Sequence, residues 1–353
     1  MPRKNVNYEV VKLPNGKRKW IYGKTKDELE GKLQQTSQLI ARNVDLSRND
    51  TFGEYTLLWY RTYKEPYLRQ NSKESLLNTL NNHIMPYLAG YKIRDITPLH
   101  VQMVFNDLRK KSKSLNSKVK AALEGIFDSA IDNNMIIKSP VAATLRTEGK
   151  KTEAREALTS EEAKKLLSVL SKQPVAGAKQ CWLFCLLALK TGLRRGELCG
   201  LMWADIDMEK AEIKVTHNCI WPGNTGVEIN TDLKTSAAAR TIPLPADVVS
   251  ALRWKKQQCK SLFVFCRRSG EPMTESAFRK MWEHAARVNV GAAFTPHVLR
   301  HTYCTRLFEA GLDLKEIQYL MGHSTPDMTM QIYAHYSARS RYSETAEKIK
   351  KAL

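Results

Sequence analysis

Six side chains in the C-terminal half of the chain are suited to moving a phosphoryl group: Arg194, Lys234, His297, Arg300, His323 and Tyr333. Guanidinium groups can fork onto two oxygens of a phosphate, and imidazole can move a proton. An ammonium group can also supply a proton, while a tyrosine hydroxyl can serve as a nucleophile. Neither a carboxylate cluster suited to Mg²⁺ nor a G-x-x-x-x-G-K-[ST] run accompanies them. The set therefore predicts phosphoryl transfer that needs no metal, ATP or other cofactor.

Arg194, the first of these six residues, lies two positions after a glycine. Gly192 in T-G-L-R-R-G-E-L permits a sharp turn into the start of a helix, where backbone N–H groups and Arg194 together favour an anion. Glu197 lies three residues after Arg194 and could orient its guanidinium on the same helical face. The alternative is an ordinary Arg–Glu pair on a surface helix.

A second pair has helical spacing. His297 and Arg300 are at i and i+3, so on a helix they share a face, while Leu299 and Tyr303 point to the core. Such a pair suits a phosphate site. His301 is four residues after His297, so the two histidines could exchange roles.

Of the six residues, Lys234 has the weakest local sequence evidence for a functional role. Lys234 lies in a predicted turn before a strand at residues 240–244, where a charged side chain is commonly just solvated. Lys210, Lys214 and Arg240 lie near enough along the chain to be alternatives to it.

Hydrophobic periodicity and turn residues predict a mainly α-helical chain of three segments. Strands at residues 8–13 and 17–22 flank Asn15-Gly16, a strong hairpin signal, and a helix with a capping box begins at Thr25. Residues 51–145 have only helical periodicity, and a polar linker follows at residues 146–156. The third segment mixes helices with strands near residues 212–216 and 240–244.

Composition narrows the class of partner. The 353 residues carry 56 Lys and Arg against 36 Asp and Glu, a net charge of +20 that is spread over all three segments. This predicts contact with a phosphate polymer, although ribosome association or simple solubility are alternatives. The longest apolar run, residues 181–189, is too short to span a membrane and predicts a buried helix. Seven cysteines without a C-x-x-C pair, and no apolar leader, predict a cytoplasmic protein.

Four motifs in a fixed order make a more specific signal. They are T-G-L-R-R-G-E-L, L-K-T-S with R-T-I-P-L, H-V-L-R-H-T, and M-G-H-S with Tyr333 ten residues after its histidine. In this order and spacing the chain resembles the tyrosine recombinases, specifically the integrases of phages and conjugative elements. The resemblance covers roughly residues 155–340. Residues 51–145 resemble the core-binding domain of that family, and Y-G-K-T-K at residues 22–26 resembles its arm-binding domain.

The resemblance implies a role for each side chain that handles a proton. Tyr333 would attack the scissile phosphate, forming a 3′-phosphotyrosyl bond and freeing a 5′-hydroxyl, with Tyr336 as a weaker alternative. Lys234 would protonate the leaving oxygen, and His297 would assist proton transfer from the tyrosine. The ordinary phenol pKa of about 10 makes this assistance necessary.

It also implies how the phosphate is held. Arg194 and Arg300 would bind the non-bridging oxygens, His323 would donate a hydrogen bond to the phosphate, and Glu197 would support the first arginine.

The implied architecture has an arm-type DNA-binding domain at residues 1–50, an all-α core-binding domain with its linker at 51–150, and an α+β catalytic domain at 151–353. The implied partners are double-stranded DNA at core and arm attachment sites, three further copies in a tetramer on DNA, and host DNA-bending and excision factors, with no membrane. The predicted arm contacts are Lys17, Arg18, Lys19, Lys24 and Lys26.

Other readings stay open. A type IB topoisomerase-like enzyme would use the same chemistry without strand exchange, and a catalytically silent DNA-binding regulator would not need it. The N-terminal segment argues against a chromosome-dimer resolvase. An apolar stripe near the C-terminus predicts a helix that docks either on a neighbouring protomer or on its own domain: Tyr342, Ala346, Ile349 and Leu353.

Overall fold

The computed structural model describes residues 7–14, 16–42, 44–150, 156–224, 226–231, 239–330 and 332. The chain divides into two compact units, Met1–Glu153 and Ala154–Leu353. The predicted boundary at residue 150 lies close to this division. The further separation of residues 1–50 as a domain of its own stays a prediction.

The first described elements of the N-terminal unit form the predicted hairpin. Strands β1 (Asn7–Lys12) and β2 (Arg18–Gly23) pair antiparallel, and Gly16 has the positive φ of +81° that such a turn favours. Helix α1 (Lys26–Ala41) follows, and the Thr25 side chain caps it by accepting from the Glu28 N–H. The predicted capping box is only half formed, because the Glu28 carboxylate accepts from the Lys24 N–H instead.

The rest of this unit is helical, as predicted. Its helices are α2 (Phe52–Trp59), α3 (Gln70–His83), α4 (Met85–Leu88), α5 (Pro98–Leu108) and α6 (Lys113–Asp132). One π-helical turn at Tyr60–Lys64 continues α2, and a 3₁₀ turn lies at Ile93–Asp95. Their apolar faces meet in a single core.

The predicted linker at residues 146–156 contains the division between the two units. Its first residues are tied to the helical unit, because the Lys150 N–H donates to the Lys111 carbonyl and the Lys150 carbonyl accepts from the Lys113 N–H. Arg146 exchanges two hydrogen bonds with the Gln102 side chain. Residues 151–155 lie outside the described part of the chain.

The C-terminal unit is α+β. Its helices are α7 (Ser160–Ser171), α8 (Ala176–Thr191), α9 (Arg195–Gly200), α10 (Ala246–Gln257), α11 (Glu275–Ala286), α12 (Pro296–Glu309) and α13 (Leu314–Met321). Helix α8 carries the apolar run at residues 181–189, which is buried as predicted except for half-buried Trp182, and it packs against α7, α10, α11 and α12.

Two small sheets complete this unit. Strands β3 (Ile206–Asp207), β4 (Glu212–Val215) and β7 (Arg240–Pro243) form an antiparallel sheet, and β5 (Asn218–Ile220) pairs with β6 (Glu228–Asn230). The sequence predicts β4 and β7. It misses the other three because two or three residues are too short to establish an alternating pattern.

Within the described ranges, every helix is too short or too polar to cross the hydrocarbon core of a membrane. Over the same residues, no group of three His, Cys, Asp or Glu side chains is placed to hold a metal ion.

Candidate functional site

The turn between α8 and α9 depends on glycine. Gly192 ends α8 with a φ of +62°, and a Cβ there would lie 2.3 Å from the Tyr303 ring. Both the backbone conformation and the packing therefore exclude a side chain. The turn places Arg194 at the N-cap of α9.

Glu197 is the buried anion of the site. It is only 4% exposed, and its carboxylate accepts from the backbone N–H of Arg194 at 2.8 Å and from the Arg194 Nη1 at 2.6 Å. The carboxylate also accepts from Arg240 Nη2 at 2.9 Å and Nη1 at 3.2 Å. Burial alone would raise the pKa of Glu197, but the hydrogen bonds and charge of Arg240, aided by Arg194 and Arg300, lower it to about 2. Glu197 therefore stays ionised and orients two guanidinium groups.

Arg240 was missed as part of the site, since the sequence offers it only as an alternative to Lys234. Its side chain is fully buried at the start of β7 and paired with Glu197, which does not suit the alternative role of proton donor in place of Lys234. Besides the Glu197 pair, its Nε donates to the Leu320 carbonyl at 2.8 Å. Arg240 thus connects α9 to α13.

Three consecutive carbonyls at the C-terminal end of α13 accept from three different arginines. The Leu320 carbonyl accepts from Arg240, the Met321 carbonyl from Arg300 Nη2, and the Gly322 carbonyl from Arg194 Nη2 at 2.5 Å. The last carbonyls of a helix have no partner within the helix and carry partial negative charge. This helix end therefore draws the three side chains together. We call Arg194, Arg240 and Arg300 the arginine cluster.

Arg300 lies on a helix, α12, as the sequence predicts, but its side chain is buried, with 3% exposure, although the spacing placed it away from the core. Its Nη1 donates to the Gly192 carbonyl at 2.5 Å, which ties α12 to the turn before Arg194. Burial, with the nearby charge of Arg194, lowers the pKa of Arg300 to about 9, which leaves it charged at neutral pH. A guanidinium has five N–H donors, so two carbonyl bonds leave capacity for a phosphate.

His323 follows the αL glycine that caps α13 and lies beside the same cations. Its Nδ1 is 2.8 Å from the Thr329 Oγ1. Burial and the positive charges of Arg300, Arg194 and Arg240 lower the pKa of His323 to about 3. At neutral pH this imidazole is neutral, so it can donate from one nitrogen only.

His297 and Arg300 both lie on α12, but they differ in exposure. His297 is exposed and borders a cleft whose walls include Trp282 and Pro296, whereas Arg300 is buried. His301, the alternative to His297, is half-buried one turn later.

Two predicted residues, Lys234 and Tyr333, lie outside the described part of the chain, as do Tyr336 and the apolar stripe at residues 342–353. The described residue before the predicted nucleophile is Ile332. Its half-buried side chain packs against a cluster that contains Tyr303 of α12 and Ile317 of α13.

The predicted arm contacts do not share one face of the hairpin. Arg18 is exposed opposite Lys12, beside the exposed aromatic pair Tyr8 and Trp20. Lys19 points to the other face, where its Nζ donates to the Leu46 carbonyl at 3.4 Å.

Burial lowers the pKa of Lys19, with help from Arg94 and Lys92. Lys17 precedes β2, whereas Lys24 and Lys26 are exposed near the start of α1.

Among the described residues, the site therefore combines two oriented guanidinium groups, Arg194 and Arg300, with a neutral imidazole and a buried carboxylate. Fixed cations of this kind can hold a phosphate oxygen and stabilise charge that develops during transfer.

Two family models match the chain: the phage integrase family over residues 156–339, and the phage integrase N-terminal SAM-like domain over residues 51–109. A "Tyrosine recombinase XerC-like" protein of Caldanaerobacter subterraneus subsp. tengcongensis is 31% identical, with 94% of this chain and 91% of the relative covered. The ICEBs1 integrase of Bacillus subtilis is 25% identical over 91% of this chain and 88% of its own length.

Two solved structures of integrases are also similar to this chain. The Tn1549 transposon integrase in complex with a circular intermediate DNA has a TM-score of 0.72 and 26% identity, over 84% of this chain and 99% of that one. A lambda integrase tetramer bound to a Holliday junction shares the fold, with a TM-score of 0.59 and 21% identity over 93% of this chain and 94% of that one. The chain belongs to the phage integrase family of tyrosine recombinases and is a tyrosine-type site-specific recombinase that acts on DNA.

Proposed function

We propose that this recombinase integrates or excises a mobile element through a 3′-phosphotyrosyl intermediate built on Tyr333. The observation that supports the proposal is the arrangement around the end of α13, where Arg194 and Arg300 lie beside neutral His323. In this assignment both arginines bind the non-bridging oxygens of the scissile phosphate, and His323 donates a hydrogen bond to one of them.

The chemical step conserves every atom and proton. The Tyr333 oxygen bonds to phosphorus as its proton passes to His297, and the bond from phosphorus to the 5′ oxygen breaks. Lys234 gives a proton to that oxygen, so the products are a phosphotyrosine and a free 5′-hydroxyl. A 5′-hydroxyl from another strand reverses the sequence. Because the covalent bond keeps the energy of the phosphodiester, no ATP is consumed.

The test is covalent trapping on nicked suicide duplexes made from DNA that flanks the gene, with EDTA present. The wild-type chain should form a protein–DNA adduct, and Tyr333→Phe should form none while binding DNA equally well. Tyr336→Phe is the matched control and should retain the adduct. An adduct that survives Tyr333→Phe would disprove the assignment of the nucleophile. Tight binding without any adduct would favour a DNA-binding regulator.

We further propose that the exposed face of the hairpin, made of Tyr8, Val10, Lys12, Arg18, Trp20 and Tyr22, contacts arm-site DNA. A contiguous patch of exposed aromatic side chains is typical of a binding surface, and here Tyr8 contacts both Trp20 and Tyr22 while basic residues flank the three rings. A two-stranded ribbon fits the major groove, where cations can bind the phosphates on either side.

Recombination of two duplexes requires four protomers, and we propose that the chain assembles as a tetramer on DNA. The apolar stripe formed by Tyr342, Ala346, Ile349 and Leu353 is proposed to dock on a neighbouring copy. A chain that ends at Ser340 should then form smaller assemblies on DNA in cross-linking and sizing experiments. Unchanged assemblies would instead mean that the stripe packs on its own domain. Host DNA-bending and excision factors are proposed as further partners.

A further inference from the structure

The His323 side chain has a partner that its proposed role does not explain. Thr329 lies in the helical turn at residues 326–330, is fully buried, and has its Oγ1 2.8 Å from the His323 Nδ1. The His323 backbone is held separately, because its N–H donates to the Gln318 carbonyl at 3.1 Å and its carbonyl accepts from the Gln318 Nε2 at 3.2 Å. Thr329 therefore acts on the ring rather than on the main chain.

The direction of this hydrogen bond follows from burial. A hydroxyl has one proton to donate, and a buried donor without an acceptor costs more than a partly used acceptor oxygen. Within the described part of the chain, the His323 Nδ1 is the hydrogen-bond partner of the Thr329 hydroxyl. If Nδ1 carried the proton, the hydroxyl would have to accept, and its own proton would have no partner among these residues. Thr329 therefore donates and Nδ1 accepts.

We propose that Thr329 is a positioning residue that fixes His323 as the tautomer with its proton on Nε2. A neutral imidazole whose Nδ1 is an acceptor has only Nε2 to donate from. The surrounding arginines keep the ring neutral, so its tautomer decides whether it donates to a phosphate oxygen or repels it. This role for Thr329 rests on the proposed function of His323. The tautomer itself does not.

The tautomer is measurable without DNA. In the ¹⁵N-histidine-labelled full-length chain, the signals of His323 are those that disappear in His323→Gln. At neutral pH the wild-type ring should have its proton bonded to Nε2, with Nδ1 unprotonated. In Thr329→Val the protonated fraction of Nδ1 should rise, whereas Thr329→Ser should keep the wild-type pattern. A proton on Nδ1 in the wild-type chain would overturn the proposal.

Kinetics separate positioning from general support of the fold. Thr329→Val should slow adduct formation on the suicide duplex roughly 3- to 10-fold, the effect of a neutral hydrogen bond, and Thr329→Ser should stay within about twofold. In a His323→Gln background, Thr329→Val should cause no further loss. Thr325→Val, at an exposed threonine of the same segment, is the matched control.

Equal slowing by Thr329→Val with and without His323 would show a structural role and overturn the proposal. Equal losses in Thr329→Val and Thr329→Ser would also overturn it, because only one of them lacks the hydroxyl. If the wild-type chain formed no adduct on any flanking duplex, the proposed function would fail, and the tautomer measurement would still decide the direction of the hydrogen bond. Should Thr329→Val not fold, the wild-type and Thr329→Ser spectra decide it.

Discussion

The arginine cluster and the hairpin both carry positive charge, but they hold it in opposite ways. In the C-terminal unit Arg240 and Arg300 are buried, and each has named partners: a carboxylate, a helix end or the carbonyl of a turn. On the hairpin, Lys12 and Arg18 project from an exposed strand pair into solvent. The buried charges are fixed before DNA arrives, whereas the exposed charges can adjust to whichever phosphate is near.

This difference has an energetic reason. Moving an ion out of water is costly, so a buried cation persists only when hydrogen bonds and an opposite charge surround it. Such a set is rigid, and it can stabilise a transition state without rearranging. An exposed cation acts mainly by displacing counterions from DNA, which makes its contribution small and dependent on salt. Substitutions in the two regions should therefore have effects of different size, and only those on the hairpin should depend on salt.

The largest effect is expected at Arg300, the buried member of the predicted phosphate clamp. Arg300→Lys should slow adduct formation by about 1000-fold or more, because lysine cannot donate to two carbonyls and fork onto phosphate oxygens at once. DNA affinity should change little. The measurement is the single-turnover rate of adduct formation beside a binding titration.

The matched control is Arg287→Lys, since Arg287 is 75% exposed at the C-cap of α11, in a pair with Glu283 of that helix. Its rate should stay within twofold of wild type. If Arg300→Lys kept most of the rate, a buried fork would not be required, and the contrast between the two regions would fail.

The next effect concerns stability. Arg240→Met should lower the free energy of unfolding by about 3–5 kcal/mol, because it leaves the Glu197 carboxylate buried with one cation fewer. Urea unfolding is the measurement. Arg279→Met removes an exposed partner of Glu275, whose carboxylate also pairs with Arg195, and should cost less than about 1 kcal/mol.

Adding Glu197→Gln to Arg240→Met tests whether the unpaired Glu197 carboxylate causes the loss of stability. The double variant should lose less than the sum of the two single variants, since the unpaired charge is then removed. Additive losses would mean that Arg240 stabilises the unit by packing alone.

The sequence could predict the local parts of the site. Gly192, Arg194 and Glu197 lie within six residues, where turn preferences and helical spacing apply directly. The buried helix at residues 181–189 and the hairpin follow equally from local pattern.

The remaining parts depend on tertiary contacts. Glu197 and Arg240 are 43 residues apart, and spacing does not reveal such a pair. The carbonyls at the end of α13 have no sequence signature, because every residue has one. The opposite directions of Arg18 and Lys19, however, could have been predicted, since neighbouring residues in a strand face opposite sides.

Between pH 6.5 and 5 a smaller effect is expected from pH, and it belongs to the buried region. The folded-state pKa of His323, about 3, lies below its ordinary value of 6.5, so the unfolded chain binds a proton that the folded chain does not. Its contribution to stability is complete above about pH 6.5 and is lost as pH falls toward 3, by about 1.4 kcal/mol per unit. His323→Gln should flatten this dependence in urea unfolding.

Glu197 affects the free energy of unfolding over a lower pH range. Its pKa falls from 4.5 to about 2, so its contribution is present above about pH 4.5 and is lost as pH falls toward 2. Glu197→Gln should therefore leave the slope between pH 6.5 and 5 unchanged, whereas His323→Gln should not. Equal slopes for His323→Gln and the wild-type chain over that interval would show that the buried imidazole is not held neutral.

The smallest effect is expected on the hairpin, where Arg18 and Lys19 form a matched pair of neighbouring cations on opposite faces. Arg18→Ala should weaken binding to flanking duplex DNA roughly threefold and reduce the salt dependence, d log K/d log[salt], by about 0.9, the value for one phosphate contact. Lys19→Ala should leave that slope unchanged, because its ammonium group is turned toward the Leu46 carbonyl. Binding titrations at several salt concentrations measure both.

Equal slope changes would mean that the hairpin contacts DNA through both faces, and a larger change for Lys19→Ala would reverse the proposed DNA-contacting face. Neither variant should alter the free energy of unfolding by more than about 0.5 kcal/mol, which would separate this region from the arginine cluster.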